Sequence, residues 1–262
     1  MKLSVYLPSI RTHLLGEFYR SLELSCSRHS FEVVIGSPFD LPEELKEKTN
    51  VKLVKTYASP TIAAKLAALS CSGDVLLHCT DDVLFYPNEV SNELDSYHPD
   101  MVTGLRYNEG KNFSGKELPP HYWIFGGSYN YKYLGPNGIN AVHNLMSRDW
   151  FLEYGGFDCA YQYLTHAMAD LLARMYRQGV IWGKLSVNQV SSADWEEGIS
   201  GSHLPINNAQ LYEDAPRFYR KWHLGEGLWD EISLEDYKEY PEIWSPRFKG
   251  ELPSSYEDLG YV

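Results

Sequence analysis

Residues 73–87 read GDVLLHCTDDVLFYP, and this stretch decides the fold. A short apolar run at 75–77 is followed by Thr80-Asp81-Asp82 and by a second apolar run at 83–86. Short apolar runs bounded by turn residues are typical of buried strands. A buried carboxylate without a partner is strongly unfavourable, and a divalent cation removes that cost. Mg²⁺ and Mn²⁺ prefer carboxylate oxygens and bridge them to phosphates. The stretch therefore predicts a strand that ends either in a solvated turn, which is common, or in a metal site.

The rest of the chain alternates strand and helix patterns around this stretch, which is typical of the α/β class. The predicted strands are 2–8, 31–35, 51–54, 75–77, 83–86, 101–106 and 141–147, with a last strand or hairpin at 180–190. The predicted helices are 13–28, 41–49, 60–70, 87–94, 148–152 and 165–179, the last with Thr165 as its N-cap. Ser59 or Thr61 is the expected N-cap of the helix at 60–70.

A second phrase, MSRDWFLEYGGFD at 146–158, follows a predicted strand and the start of a helix. Gly155 and Gly156 allow the backbone to approach a ligand closely. Asp158 is placed either to bind a hydroxyl of an acceptor or sugar, or to cap a turn. The order of these motifs resembles the family 2 glycosyltransferases of the GT-A fold, over roughly residues 2–222.

The resemblance implies an α/β, Rossmann-like GT-A fold with a mostly parallel central sheet flanked by helices. It implies transfer of a sugar from a nucleotide-diphosphate donor to an acceptor hydroxyl, with inversion and with Mn²⁺ or Mg²⁺ as cofactor. Residues 1–222 form the expected domain, with a nucleotide-sugar half at 1–106 and an acceptor half at 107–222. Residues 223–262 form an expected tail packed on that domain.

On the donor side, the resemblance implies that Asp82 ligates the metal and that Asp81 lies near the ribose or sugar. Pro8-Ser9 matches the family turn that contacts the nucleotide, and Arg11 is expected to position the donor. Lys65 faces the diphosphate or is a solvated lysine.

His203 is the candidate further metal ligand, with an exposed loop histidine as the alternative.

The sequence departs from the family pattern at two places. Thr80 stands where a third carboxylate would be, and Gly36-Ser37 stands where the family has an Asp that reads the base.

The catalytic base is expected at 165–174, where His166 and Asp170 share one helix face. The family carries Glu-Asp-x-Asp with an Arg at the fourth position after the second Asp, and its first Asp deprotonates the acceptor. Counted back from Arg174, Asp170 matches the second Asp, whereas Met168 occupies the first. An inverting transfer needs a base, so Asp170 and His166 both remain candidates.

Three other regions bear on function, and two of them leave two interpretations open. Residues 107–140 are rich in Gly, Asn, Tyr and Pro and form either an acceptor-side loop or a segment packed on the core. Residues 191–210 are predicted to close over a bound nucleotide. Arg217, Arg220 and Lys221 either hold phosphates or balance nearby acids.

Composition limits the function classes. The chain has 262 residues, a net charge of −12 and a pI of about 5.2, so nucleic acid is not an expected general partner. Its 20 Tyr and 7 Trp suit stacking on sugars and bases as well as core packing. The four cysteines show no C-x-x-C pair, and there is no run of 18 apolar residues, so we expect free thiols and a cytoplasmic location.

Two competing functions follow from the same residues. A catalytically silent sugar-nucleotide or glycan-binding protein fits the missing first Asp of the family pattern. A nucleotidyltransferase would need a Gly-rich basic loop after the first strand, which LPSIRTHLLG at 7–16 matches poorly.

Overall fold

A computed structural model describes residues 1–56, 58–81, 83–104, 106–107, 144–162, 164–177, 181–182, 188–191 and 213–221. Ten strands lie in these ranges. They are β1 Lys2–Pro8, β2 Ser30–Ser37, β3 Val51–Lys55, β4 Val75–His78, β5 Val83–Phe85, β6 Met101–Gly104, β7 Arg106–Tyr107, β8 Asn144–Ser147, β9 Ile181–Trp182 and β10 Asn188–Ser191.

Seven of these strands form the central sheet, in the order β3-β2-β1-β4-β8-β6-β9. β1 pairs in parallel with β2 and β4, β2 with β3, and β6 with β9. β8 runs antiparallel to both of its neighbours, β4 and β6. The sheet is therefore mostly parallel, as predicted. A smaller sheet contains β5, β10 and β7.

The predicted last strand or hairpin at 180–190 is two separate strands. β9 pairs with β6 in the central sheet, whereas β10 pairs with β5 and β7 in the small one. The two strands do not pair with each other as a hairpin, because each completes a different sheet.

The described helices lie close to their predicted positions. They are a 3-10 helix at Thr12–Leu14, then α1 Leu15–Ser25, α2 Glu43–Lys46, α3 Pro60–Leu69, α4 Glu89–Asp95, α5 Arg148–Glu153, α6 Leu164–Arg177 and α7 Ala215–Lys221. Ser59 caps α3, since its hydroxyl accepts a hydrogen bond from the Ile62 N–H and Pro60 takes the first helical position. The prediction that Thr165 caps α6 is wrong, because α6 begins one residue earlier.

Two apolar cores cover the two faces of the central sheet, because side chains alternate along each strand. Leu3, Val5 and Leu7 of β1 pack on one face with residues of α1 and α4. Tyr6 points to the other face and packs with residues of α3, α5 and α6. This two-sided packing positions the carboxyl ends of β1 and β4 beside α6.

All four cysteines are free, as predicted, and the structure shows that they are also buried. None of the helices described above is long and apolar enough to cross a membrane.

Candidate functional site

The predicted donor side begins where β1 and β4 end. These strands are parallel neighbours, so their carboxyl ends meet at one edge of the sheet. Pro8 closes β1, and Ser9 and Arg11 follow it. The Ser9 N–H donates to the Gly36 carbonyl at the end of β2 at 2.9 Å, which ties the loop to the neighbouring strand. In open α/β sheets, this edge is where ligands bind.

Asp81 lies at the same edge and is held from two sides. The Ser9 hydroxyl donates to Oδ2 of Asp81 at 2.6 Å, and the Arg11 guanidinium forms an ion pair with Oδ1. All three side chains are buried, with 5% exposure for Ser9 and Asp81 and 6% for Arg11. The structure therefore brings together three residues predicted to bind the donor, and the two bonds neutralise and orient the Asp81 carboxylate.

Each oxygen of Asp81 already has one protein partner, Ser9 on Oδ2 and Arg11 on Oδ1. Asp82 and His203, the two predicted ligands, lie outside the described residues. Within the described ranges there is no group of three or more His, Cys, Asp or Glu side chains that could hold a metal. A metal site at this edge thus depends on Asp82.

Lys65 lies on α3, half-buried and about one and a half turns from Pro60. Its helix starts at the same edge, since α3 follows the parallel strand β3. Lys65 thus lies on a helix that begins at the predicted donor edge.

The predicted acceptor side begins with the turn after α5. Gly155 and Gly156 have φ angles of 78° and 66°, a region that side chains rarely adopt. A Cβ on Gly156 would lie 2.8 Å from the Phe151 ring. The close approach that Gly156 permits is therefore to the protein's own core.

Asp158 follows this turn and has two partners. Its Oδ1 accepts a hydrogen bond from the Ala160 N–H at 2.9 Å, and Lys221 Nζ bonds its Oδ2 at 2.8 Å. Burial alone would raise the pKa of Asp158, but the Lys221 ammonium outweighs burial and the pKa lies below its usual value. Asp158 thus caps a turn, as one prediction had it, and also anchors a lysine.

Asp170, the first candidate base, is fully buried on α6 and is bonded by two cations. Lys221 Nζ lies 2.8 Å from Oδ1, and Arg174 Nε lies 3.0 Å from Oδ2. Arg174 also donates to the Tyr154 and Gly156 carbonyls, so it holds the glycine turn as well. These partners fix the orientation of both carboxylate oxygens of Asp170.

His166, the second candidate base, is one helical turn away and is surrounded by rings. Its ring stacks on Tyr161 with centroids 6.5 Å apart and contacts Phe218 at 5.5 Å. Burial lowers the pKa of His166 to about 4, so the imidazole is neutral at pH 7 and is a weaker base than an exposed histidine. Although His166 and Asp170 share a helix face, Asp170 is held by Lys221 and Arg174.

Two roles for Lys221 follow from the sequence, and the structure shows it balancing acids. With Asp158 and Asp170 it forms a three-residue group, which we call the Lys221 bridge. The other end of α7 is also anchored, because the Asp214 carboxylate accepts from the Gln162 N–H at 2.9 and 3.0 Å. Sequence reasoning missed Asp214 and Tyr161, since no spacing rule links α7 to residues so far back in the chain.

An aromatic contact joins the donor and acceptor sides. The Phe157 ring lies 6.1 Å from the Tyr6 ring and 6.2 Å from the His78 ring, at the ends of β1 and β4. Phe157 immediately precedes Asp158, so the glycine turn packs directly on the strands that position Ser9 and Asp81.

Comparison with known proteins places the fold. No protein-family model matches the chain, and no curated protein matches its sequence significantly. Among solved structures, S. aureus TarS residues 1–349 match with a TM-score of 0.51 and 17% identity, over 90% of this chain and 77% of that one. GalNAc-T7 with UDP, GalNAc and Mn²⁺ matches with a TM-score of 0.51 and 13% identity, over 91% of this chain and 53% of that one.

The longer TarS structure gives a TM-score of 0.52 at 15% identity, with 87% of this chain covering 46% of it. This chain thus spans about half the length of TarS and of GalNAc-T7. These neighbours are GT-A glycosyltransferases, so the predicted GT-A fold is confirmed. At such identities the likeness concerns the fold, and membership of family 2 stays a prediction.

Proposed function

We propose that this protein is a glycosyltransferase that moves a sugar from a nucleotide-diphosphate donor to an acceptor hydroxyl. The observation that carries the proposal is the buried group of Ser9, Arg11 and Asp81 at the carboxyl edge of the sheet, one residue before Asp82. It is supported by the neighbours that share the fold, since TarS 1–349 in complex with UDP matches with a TM-score of 0.50 and GalNAc-T7 holds UDP, GalNAc and Mn²⁺.

On the donor side, the proposed role of Asp81 is to accept a hydrogen bond from a ribose or sugar hydroxyl. Each carboxylate oxygen has a second lone pair, so the Ser9 and Arg11 bonds leave that capacity available. The two bonds fix the direction of the carboxylate before the donor arrives, which reduces the ordering cost of binding. Pro8 supports the loop, and Arg11 adds positive charge beside the expected diphosphate.

The proposed metal is Mn²⁺ or Mg²⁺, held by Asp82 with His203. When bound, such a metal neutralises charge that develops on the leaving diphosphate. Lys65 on α3 is a further proposed contact of the diphosphate.

On the acceptor side, Asp170 is the proposed base and His166 its partner or replacement, with inversion at the sugar carbon. Asp158 and the Gly155-Gly156 turn shape this side. Substituting each candidate separately distinguishes them, because Asp170→Asn and His166→Gln remove different proton acceptors. Loss of turnover in only one variant, with donor binding retained, identifies the base.

A catalytically silent sugar-nucleotide or glycan-binding protein is the second candidate function, and one observation favours it. Both acidic residues near the expected acceptor are held in ion pairs, Asp158 by Lys221 and Asp170 by Lys221 and Arg174. The first Asp of the family pattern is Met168. This alternative predicts donor binding without turnover.

The division into halves at 1–106 and 107–222 and the tail at 223–262 stay predictions, because residues 108–143 and 222–262 lie outside the described residues. The proposed cytoplasmic location rests on the four free thiols.

The test is release of nucleoside diphosphate from a panel of nucleotide sugars, with Mn²⁺ and then with EDTA. Wild type is compared with Asp82→Ala and with Asp149→Ala, a matched control because Asp149 is exposed on α5. Metal-dependent release that Asp82→Ala abolishes and Asp149→Ala retains supports the proposal. Binding without release supports the silent protein, and neither binding nor release for any donor refutes both.

A further inference from the structure

Two buried polar atoms beside the Lys221 bridge have no hydrogen-bond partner among the described residues. They are the Tyr161 hydroxyl and Nδ1 of His166. Tyr161 is 0% exposed and His166 is 5% exposed. A buried polar atom without a partner is destabilising, and native proteins rarely keep two in one cluster unless water or a ligand binds them.

Aromatic rings and two carboxylates surround this pair of atoms. The two rings are stacked, with an angle of 20° between their planes, and Phe218 packs against both. Asp170 and Asp158 are close enough to the Tyr161 hydroxyl to add to the rise in its pKa that burial causes, yet neither carboxylate accepts a hydrogen bond from it. The Tyr161 hydroxyl is thus left without a partner beside two paired acids.

The two atoms are chemically complementary to one hydroxyl group. Tyr161 keeps its proton, because burial raises its pKa, and so it can donate. His166 is neutral, and its Nδ1 accepts when the proton is on Nε2. A hydroxyl accepts one bond and donates another, so it satisfies both atoms at once.

We propose that the Tyr161 hydroxyl and Nδ1 of His166 form a subsite for one hydroxyl of a saccharide acceptor. The inference rests on the proposed function and specifies its acceptor class. The Tyr161 and Phe218 rings add flat faces that suit the C–H surface of a sugar. Lys221, whose side chain is 19% exposed, lies at this cluster with its Nζ 5.5 Å from the Tyr161 ring centroid.

The experiment uses Tyr161→Phe, which removes only the hydroxyl. Tyr97→Phe is the matched control, because the Tyr97 hydroxyl is also buried without a hydrogen-bond partner in the described ranges. Tyr97 lines a cavity of about 280 Å³ at the opposite edge of the sheet, with Gly73 and Arg148. Each variant is measured for its melting temperature, for donor hydrolysis, and for transfer to a panel of methyl glycosides.

We expect both variants to melt at or above the wild-type temperature. Tyr161→Phe should keep donor hydrolysis within about twofold and raise KM for the methyl glycosides about tenfold, as the loss of one hydrogen bond implies. Tyr97→Phe should leave KM unchanged. An unchanged KM in Tyr161→Phe, or a lowered melting temperature with equal losses of hydrolysis and transfer, overturns the subsite and indicates a buried water or a structural role.

A separate arm distinguishes failure of the subsite from failure of the proposed function. If wild type releases no nucleotide from any donor, the function fails, and the same methyl glycosides are then tested for a thermal shift. A shift in wild type that Tyr161→Phe loses and Tyr97→Phe keeps supports the subsite. The absence of any shift in wild type overturns it.

Discussion

Replacing Lys221 by methionine should unfold the protein at a clearly lower temperature. Lys221 Nζ lies 2.8 Å from a carboxylate oxygen of Asp158 and 2.8 Å from one of Asp170. Methionine keeps much of the length of the side chain and removes the charge. The variant therefore leaves two buried carboxylates with one cation fewer between them.

The size of the effect follows from what remains in place. Removing one partner of a buried ion pair costs about 3–5 kcal/mol. Asp170 keeps Arg174, and Asp158 keeps the Ala160 N–H, so the expected cost is smaller, about 2–3 kcal/mol. For a chain of this length, that lowers the melting temperature by about 5–10 °C.

The drop in melting temperature of Lys221→Met relative to wild type should become smaller as the pH falls. Because the pKa of Asp158 is held below the ordinary value of 3.8, its pairing stabilises the fold above that pH and is lost as pH falls through the lowered pKa. The difference between wild type and Lys221→Met should thus be largest near pH 7 and shrink below about pH 4.

Thermal unfolding followed by circular dichroism at pH 7 and at pH 3.5 measures both effects. Arg217→Met is the control, since Arg217 is an exposed cation on the same helix and its loss should change the melting temperature by about 1 °C or less. Equal melting temperatures for the two variants, or a deficit that grows at low pH, would refute the reasoning about the Lys221 bridge.

Three further outcomes are expected. Burial alone would raise the pKa of Glu32, but hydrogen bonds from Ser4 and Ser72 outweigh burial and lower the pKa to about 2. Glu32→Gln should therefore lower the free energy of unfolding by about 1–2 kcal/mol at pH 7, allowing for solvent screening. In denaturant titrations this loss should fade between pH 4.5 and 2. Gly156→Ala should cost about 2–4 kcal/mol in the same titrations, because its φ is 66° and the new Cβ would meet the Phe151 ring; an unchanged midpoint would contradict this account of the turn. A thiol reagent should label none of the four buried cysteines, Cys26, Cys71, Cys79 and Cys159, until the protein unfolds. Burial also raises the pKa of Cys26 to about 11 and that of Cys71 to about 12. Rapid labelling of the native chain would contradict that burial.

Local sequence patterns predicted most of the elements. The strand at 2–8 was predicted with both ends correct, since an apolar run that ends in proline defines its own limits. The direction of β8 could not be predicted, because an apolar run has the same composition in either direction and only pairing with β4 fixes it. The same limit explains the region at 180–190, where two strands join different sheets.

The candidate site was predictable only where its residues are close to a recognisable motif. The resemblance to GT-A glycosyltransferases implies donor roles for Ser9, Arg11 and Asp81, and the structure joins these three side chains. His166 and Asp170 were placed on one helix face correctly. The partner that holds Asp170 is Lys221, which comes from a distant helix through tertiary packing, and no local pattern encodes that contact.

Binding of a nucleoside diphosphate at the edge beside Asp81 is the central claim, and calorimetry tests it most directly. UDP, GDP, ADP and CDP are titrated in the presence of Mn²⁺ into wild type, Asp81→Asn and the exposed control Asp149→Asn. The account predicts that at least one nucleotide binds wild type and Asp149→Asn equally, and binds Asp81→Asn about tenfold or more weakly, as the loss of a charged hydrogen-bonding group implies. No binding to wild type, or equal binding to all three proteins, would contradict it.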